Sequence, residues 1–229
     1  LRTLIQTTLA ESDAPRLRLS SLEPWDLDDD FFRLWENPRL CRHLHLPLQS
    51  GCEATLRRMA RKVTPDSFAG LVRAARSAAA DMAITTDIIV GFPGESVEEF
   101  RQSLGFVEAM QFAAGHVFNY SARPGTPAAK LPQQVAPPVR KARSAEMRAV
   151  VADASQRYRA TFLGSMQTVL WEGAAAENGS GFRLEGLTGN YLRVSAVCDR
   201  ARWNQFDRVR LVGLTADGMQ GEICEDGAG

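Results

Sequence analysis

The sequence predicts an α/β unit built on a parallel sheet, followed by a small all-β barrel. Three observations predict it. Apolar strand-like runs alternate with helical segments across residues 1–122, the pattern of βαβ units. A long helical stripe follows, from about Pro138 to Leu163. Beyond it, short alternating segments are punctuated by turn residues, as in a small barrel.

The elements follow in order. Arg16–Ser20 is the first strand candidate, and Asp28–Trp35 reads as a short helix stopped by Asn37-Pro38. His43–Leu48 is the next strand. Ser50, with Glu53 three residues on, has capping-box spacing and opens a helix. Thr64-Pro65 begins another, with proline at its first position and Phe68, Leu71, Val72 and Ala75 on its apolar face. Ala83–Val90 is a buried strand, and Ser96 with Glu99 caps a helix that runs to Met110. His116–Tyr120 closes this half. About four strands are too few to close a (β/α)8 barrel.

Residues 123–138 are proline-rich and read as a loop over the strand ends. The long helix then carries Met147, Val150, Val151, Ala154, Tyr158 and Phe162 as its stripe. The barrel strands are expected at Gln167–Trp171, Phe182–Glu185, Tyr191–Val194, Arg208–Val212 and Met219–Ile223, all antiparallel. Turns are assigned to Asn178–Gly181, Thr188–Asn190 and Asp217-Gly218. The resulting division is 1–137, a connecting helix at 138–163, and 164–229.

Composition excludes several classes. The 229 residues carry 27 Lys and Arg against 27 Asp and Glu, so net charge argues neither for nor against nucleic acid. The balance is uneven, with 21 basic against 18 acidic residues up to 162 and 6 against 9 beyond. No apolar run approaches the ~20 residues of a membrane span. Cys41, Cys52, Cys198 and Cys224 form no CxxC or CxxxC spacing, so no zinc or iron–sulfur motif is present. The chain opens on Leu1 within what reads as a helix, and is expected to be a fragment.

In a parallel sheet, ligand sites lie at the carboxyl ends of the strands. Four polar ends therefore gather on one rim: Ser20–Glu23, Gln49–Gly51, Gly91–Glu95 and Tyr120–Arg123. Gly91-Phe92-Pro93-Gly94-Glu95 sits between a strand and a capped helix, where glycines admit a ligand to the backbone or simply make a tight turn. It is not a GxGxxG dinucleotide fingerprint. Gln49 and Ser50 offer hydrogen bonds to a ribose or carboxylate, with an N-cap as the alternative for Ser50. Arg123, with Thr126 close behind, is placed to clamp an anion or to form a surface turn. Glu23 accepts from an amine or hydroxyl, or caps the next segment. Asp87, odd in an apolar strand, is expected to pair with an arginine or face the site. His43, His45 and His116 read as packed or surface residues. In the barrel, Arg193, Arg202, Arg208 and Arg210 are the candidates for RNA phosphate, among aromatics that mostly build the core.

Taken together, Arg16–Pro24, His43–Gly51, Ile84–Glu95 and Phe118–Thr126 resemble the later strands of the radical S-adenosylmethionine (SAM) methylthiotransferases. Ser-Ser-Leu-Glu-Pro with Ile-Thr-Thr-Asp-Ile-Ile-Val-Gly-Phe-Pro-Gly-Glu is most similar to the MtaB branch. Residues 164–226 resemble a TRAM domain, the family's small OB-like RNA-binding barrel.

The resemblance implies the second half of a (β/α)6 partial TIM-like barrel and methylthiolation of N6-threonylcarbamoyladenosine beside the tRNA anticodon. It implies SAM and two [4Fe–4S] clusters in the full-length enzyme, one on a CxxxCxxC loop, neither with ligands in this chain. By position, Gln49, Ser50 and the turn Gly91, Phe92, Pro93, Gly94, Glu95 would line SAM. Glu23, Arg123 and Thr126 would face the substrate side. The implied partners are tRNA and a reductant for the cluster, in a cytoplasmic monomer with no membrane contact. The fragment alone is expected to be inactive. Alternatives are isopentenyladenosine tRNA or a ribosomal-protein aspartate as acceptor, or a non-catalytic RNA-binding module.

Overall fold

The computed structural model describes residues 1–24, 27–177 and 181–224. The turn assigned to Asn178–Ser180 lies outside the described residues. The first half holds a three-stranded parallel sheet, β1 (His43–His45), β2 (Ala83–Val90) and β3 (Ala114–Asn119), in that spatial order. Helices α1 (Arg2–Glu11), α2 (Asp29–Phe32), α3 (Glu53–Arg58), α4 (Pro65–Ala78) and α5 (Val97–Met110) belong to this half. α6 (Pro137–Ala160) leads to a closed barrel of β4 (Met166–Glu177), β5 (Gly181–Thr188), β6 (Arg193–Cys198), β7 (Phe206–Leu214) and β8 (Met219–Ile223).

One face of the sheet is apolar, and it makes the core. Leu44, Ile84 and Ile88 are fully buried with Phe68 of α4, Phe112 and Met147 of α6. Alternate residues in a strand point to opposite faces. Hence His43, His45, Thr85, Asp87 and His116 all fall on the other face. β2 begins and ends where the sequence places it, as does α5. Both capping boxes, Thr64 with Ser67 and Ser96 with Glu99, are formed.

Four local expectations are corrected. Arg16–Ser20 is not a strand but makes two isolated parallel bridges, Leu17 to Leu40 and Ser21 to His45. Four residues on one side answer five on the other, so no continuous ladder forms. The β1 ladder stops after Leu46, whose N–H donates to Thr85 O, because the Thr86 hydroxyl takes the next groups, donating to Leu46 O and accepting from the Leu48 N–H. The chain rejoins β2 at Gln49, whose N–H donates to Asp87 O at 2.8 Å. Ser50 does not cap a helix: α3 starts at Glu53 behind Cys52, and Ser50 Oγ instead accepts from the Cys52 N–H at 3.2 Å. Finally, β6 and β8 run parallel. Five is odd, and a closed ring of five strands cannot alternate direction throughout.

Trp171, Leu184, Val209, Leu211 and Met219 are fully buried in the barrel. The strand order β4-β5-β6-β8-β7, with its single parallel pair, is that of an OB-like barrel. α6 serves both halves. Met147, Val151 and Ala154 are buried along its length, while Tyr158 in its last turn and Phe162 just past its end pack on the barrel core. Arg16 and Arg18 tie the halves further. Arg16 donates to Leu187 O and Thr168 O, and Arg18 to Thr188 O.

Candidate functional site

Parallel pairing brings the ends of β1, β2 and β3 to one rim, as the alternation requires. At the β2 end, Gly91 has φ +73° and Gly94 φ +79°, both in the left-handed region. A side chain on Gly91 would meet Arg140 Cγ at 2.2 Å. Glu95 holds this turn from inside. Its carboxylate accepts from the Gly91 N–H at 2.9 Å and from Arg143 Nη1 of α6 at 2.5 Å. Both side chains of that pair are buried. Burial pushes the Glu95 carboxyl up, opposed by the Gly91 N–H and Arg143. Glu95 is thus committed to shaping the turn rather than presented to a ligand. Gly94 N–H donates to Gln133 O at 2.9 Å, which stitches the proline-rich loop across the turn. Phe92 meets Tyr120 edge-on, ring centroids 5.2 Å apart.

Gln49 stands beside this turn. Its backbone is left-handed at φ +70°, and its residue bridges to Ile88. Its own N–H and C=O are used by β2. Among the described residues its side-chain amide meets no hydrogen-bond partner, which leaves donor and acceptor for a ligand. Ser50 is fully buried and used locally. Glu23 lies 3.9 Å from Arg61. Thr126 accepts from the Ala129 N–H and donates to Arg123 O, so it caps a short 3-10 turn. Arg123 is exposed beside it.

Sequence reading missed the polar row on the open sheet face. His43 Nε2 lies 2.9 Å from Thr85 Oγ1, and His45 Nδ1 lies 3.0 Å from the same hydroxyl. His45 Nε2 and His116 Nδ1 each stand 3.3 Å from an Asp87 oxygen. One proton arrangement satisfies every contact: His43 Nε2–H donates to Thr85, Thr85 to His45 Nδ1, and His45 Nε2–H and His116 Nδ1–H both to Asp87. That leaves His43 Nδ1 as a lone pair, in keeping with its being buried and without a partner among the described residues. Burial, with help from Arg18 and His45, pushes the His43 imidazole down to about 3, so it is neutral. The partners of Asp87 are therefore histidines, not an arginine. The signal was available in the two-residue spacing of His43/His45 and Thr85/Asp87.

The row ends under the barrel. His43 stacks on Tyr191, ring centroids 4.1 Å apart and 6° from parallel, with the Arg18 guanidinium 5.1 Å from the same ring. Tyr191 itself has φ +67°. Among the four candidate arginines of the barrel, Arg193, Arg208 and Arg210 are exposed, whereas Arg202 is buried and paired with Asp207 at 2.8 Å. Arg193 borders a cavity that also holds Glu172, Glu185 and Asp217.

Residues 6–107, which hold the whole rim turn and most of the row, match the family model described as Radical SAM superfamily. This segment is similar to a radical SAM domain. The family implies S-adenosylmethionine and a [4Fe–4S] cluster. The chain is 37% identical over 205 residues to the Thermotoga maritima threonylcarbamoyladenosine tRNA methylthiotransferase MtaB, covering 89% of this chain and 46% of that protein. It is 35% identical over 219 residues to a tRNA-2-methylthio-N(6)-dimethylallyladenosine synthase of Anoxybacillus flavithermus, covering 95% and 41%. The chain thus spans less than half the length of these relatives. Coproporphyrinogen III oxidase (HemN) of Escherichia coli, a radical SAM enzyme, superposes with a TM-score of 0.54 at 15% identity, over 83% of this chain and 49% of that one. The radical SAM fold assigned to the first half agrees with that likeness.

Proposed function

We propose that this chain is part of a tRNA methylthiotransferase acting on N6-threonylcarbamoyladenosine beside the anticodon. The observation that carries the reading is the 37% identity to the Thermotoga maritima enzyme across nearly the whole chain. The radical SAM rim fits SAM. Gln49 offers a free amide beside the positive-φ turn, whose glycines are covered by Arg140 and Gln133. Gln49 and the Gly91–Gly94 turn would bind and orient SAM, while Glu95, through Arg143, fixes the turn. Bound there and given one electron from a cluster held elsewhere, SAM would supply the radical that abstracts hydrogen. Asp87, held between His45 and His116, presents fixed polar groups on the open face; Glu23, Arg123 and Thr126 stand at the substrate side of the rim.

The cluster does not fit this chain. The four cysteines lack the CxxxCxxC spacing, and among the described residues no group of three His, Cys, Asp or Glu could hold a metal. Its ligands, and those of a second cluster, belong to a segment outside these residues. The barrel is a TRAM domain in this reading, with tRNA as partner and a cellular reductant serving the cluster. Among the described residues no helix is long and apolar enough to cross a membrane; a cytoplasmic monomer is the proposed state.

Deleting the gene and profiling tRNA nucleosides by mass spectrometry tests the reading. The 2-methylthio form of N6-threonylcarbamoyladenosine should disappear while its precursor accumulates. Loss of the 2-methylthio isopentenyl nucleoside instead would transfer the assignment to the second acceptor, which the Anoxybacillus relative favours.

A further inference from the structure

We propose that His116, backed by Asp87, selects the acceptor: its Nε2–H donates to the carboxylate of the threonylcarbamoyl group, while Phe118 carries the purine. The proposal deepens the threonylcarbamoyladenosine reading and rests on it.

The polar row is closed at one end and open at the other. Thr85 is 5% and His43 4% exposed, beneath Tyr191 of the barrel. Side-chain exposure then rises from 17% at His45 through 27% at Asp87 to 77% at His116. The His116 end can therefore meet a ligand without moving the barrel. There the ring is used on one side alone. Its Nδ1 stands 3.3 Å from Asp87, and its Nε2 meets no hydrogen-bond partner among the described residues. Asp87 is held from the far side by His45 Nε2, also at 3.3 Å. An anion arriving at His116 Nε2 places the ring between two negative groups, where it holds both protons and donates on each side.

The purine has a platform beside it. Phe118 follows two residues along the same face, half exposed, with its ring centroid 6.2 Å from that of His116. β3 runs toward the rim, so Phe118 stands nearer the Gly91–Glu95 turn than His116 does. Unstacked bases lie readily on an aromatic ring. In adenine, C2 and C6 flank N1, so C2 can face the SAM side while the N6 substituent runs back along the strand. The carboxylate carbon of the threonylcarbamoyl group lies four bonds beyond N6, about 5 Å when extended. Two strand residues advance about 7 Å, so the tail of a base on Phe118 reaches His116.

An isopentenyl tail has no polar atom. On the same path it would cover His116 and Asp87 without replacing the water they lose, a cost that favours the acid-bearing acceptor. Arg123 is the other cation near the rim, but its guanidinium is fixed by no contact among the described residues.

The test is binding, measured with the full-length protein and a labelled anticodon stem-loop carrying N6-threonylcarbamoyladenosine, against the same stem-loop with that carboxylate as its methyl ester. The wild type should bind the acid at least about tenfold tighter than the ester. His116→Phe should bind the two alike, and His116→Gln, which keeps an N–H donor, should regain part of the preference. Circular dichroism checks that these exposed variants are folded. Equal binding of acid and ester by the wild type overturns the proposal, as does a preference that survives in His116→Phe. If Arg123→Ala removes the preference while His116→Phe keeps it, the carboxylate is held by Arg123 instead. A failure of the threonylcarbamoyladenosine reading itself shows elsewhere, in an unchanged level of its 2-methylthio form after gene deletion.

Discussion

The two halves of this chain solve the sheet-edge problem in opposite ways. The barrel returns every strand to a neighbour, β4 pairing with both β5 and β7, so no edge is left open. The parallel sheet stops at β1 and β3 and covers only one face with helices. On its other face Phe118 is 50% exposed and the His116 end of the Asp87–histidine row lies open. The difference teaches where each half keeps its chemistry. A closed barrel can use only its outside and its loops, whereas an open sheet offers a face and a rim.

The largest effect should come from the pair that fixes the rim. Arg143→Ala leaves the buried Glu95 carboxylate without its partner and should cost about 3–5 kcal/mol. Urea denaturation followed by near-ultraviolet circular dichroism measures it. Equal loss in the two halves would mean that they unfold as one unit; a transition split between them would mean that the rim belongs to the first half alone.

The junction should show next, as acid sensitivity. His43 is depressed to about 3 in the folded chain from 6.5. The unfolded chain therefore binds the extra proton first, and stability is full above pH 6.5 and falls as pH drops toward 3. The loss is on the order of 4 kcal/mol at the acid end. His43→Phe keeps the stack on Tyr191 and removes the proton, so its stability should be flatter across that window. An unchanged acid limb would show that other groups set it.

Glycines separate the halves by what surrounds them. A side chain at Gly186 would meet Leu170 O at 2.3 Å, a backbone atom of the neighbouring barrel strand. At Gly91 the obstacle is the Arg140 side chain, which can move, although the positive φ remains. Gly186→Ala should cost about 3 kcal/mol and Gly91→Ala about 2. Calorimetry of both variants checks the order; a reversed order would mean that the rim is the stiffer of the two. The smallest effect belongs to Tyr191→Ala, about 1–2 kcal/mol from the lost stack. It should loosen the halves relative to each other, seen as faster hydrogen exchange near His43 and Leu192 with both cores protected. Unchanged exchange there would place the junction on Arg16, Arg18 and α6 alone.

Local signals carried most of the fold. Strand β2 ends at Gly91 because glycine breaks the apolar run, and α5 starts at Val97 because Ser96 and Glu99 cap each other. The rim followed from the alternation of elements, since parallel strands must all end on one side. Less was legible where partners come from far along the chain. Arg202 reads as a surface arginine until β7 brings Asp207 to it. Ser50 reads as an N-cap until Gly51 packs onto α5, where its N–H finds Ser103 Oγ at 2.8 Å.

By itself the sequence determined the βαβ order, the two capping boxes, a small β barrel and the ends of the three paired strands. Each of these depends on residues within a few positions of one another, through periodicity, capping or turn chemistry. Only the tertiary structure decided that Asp87 answers two histidines and that Tyr191 of the barrel stacks on His43. Those contacts join residues tens to more than a hundred positions apart, and no local rule places them until the sheet and the barrel have packed.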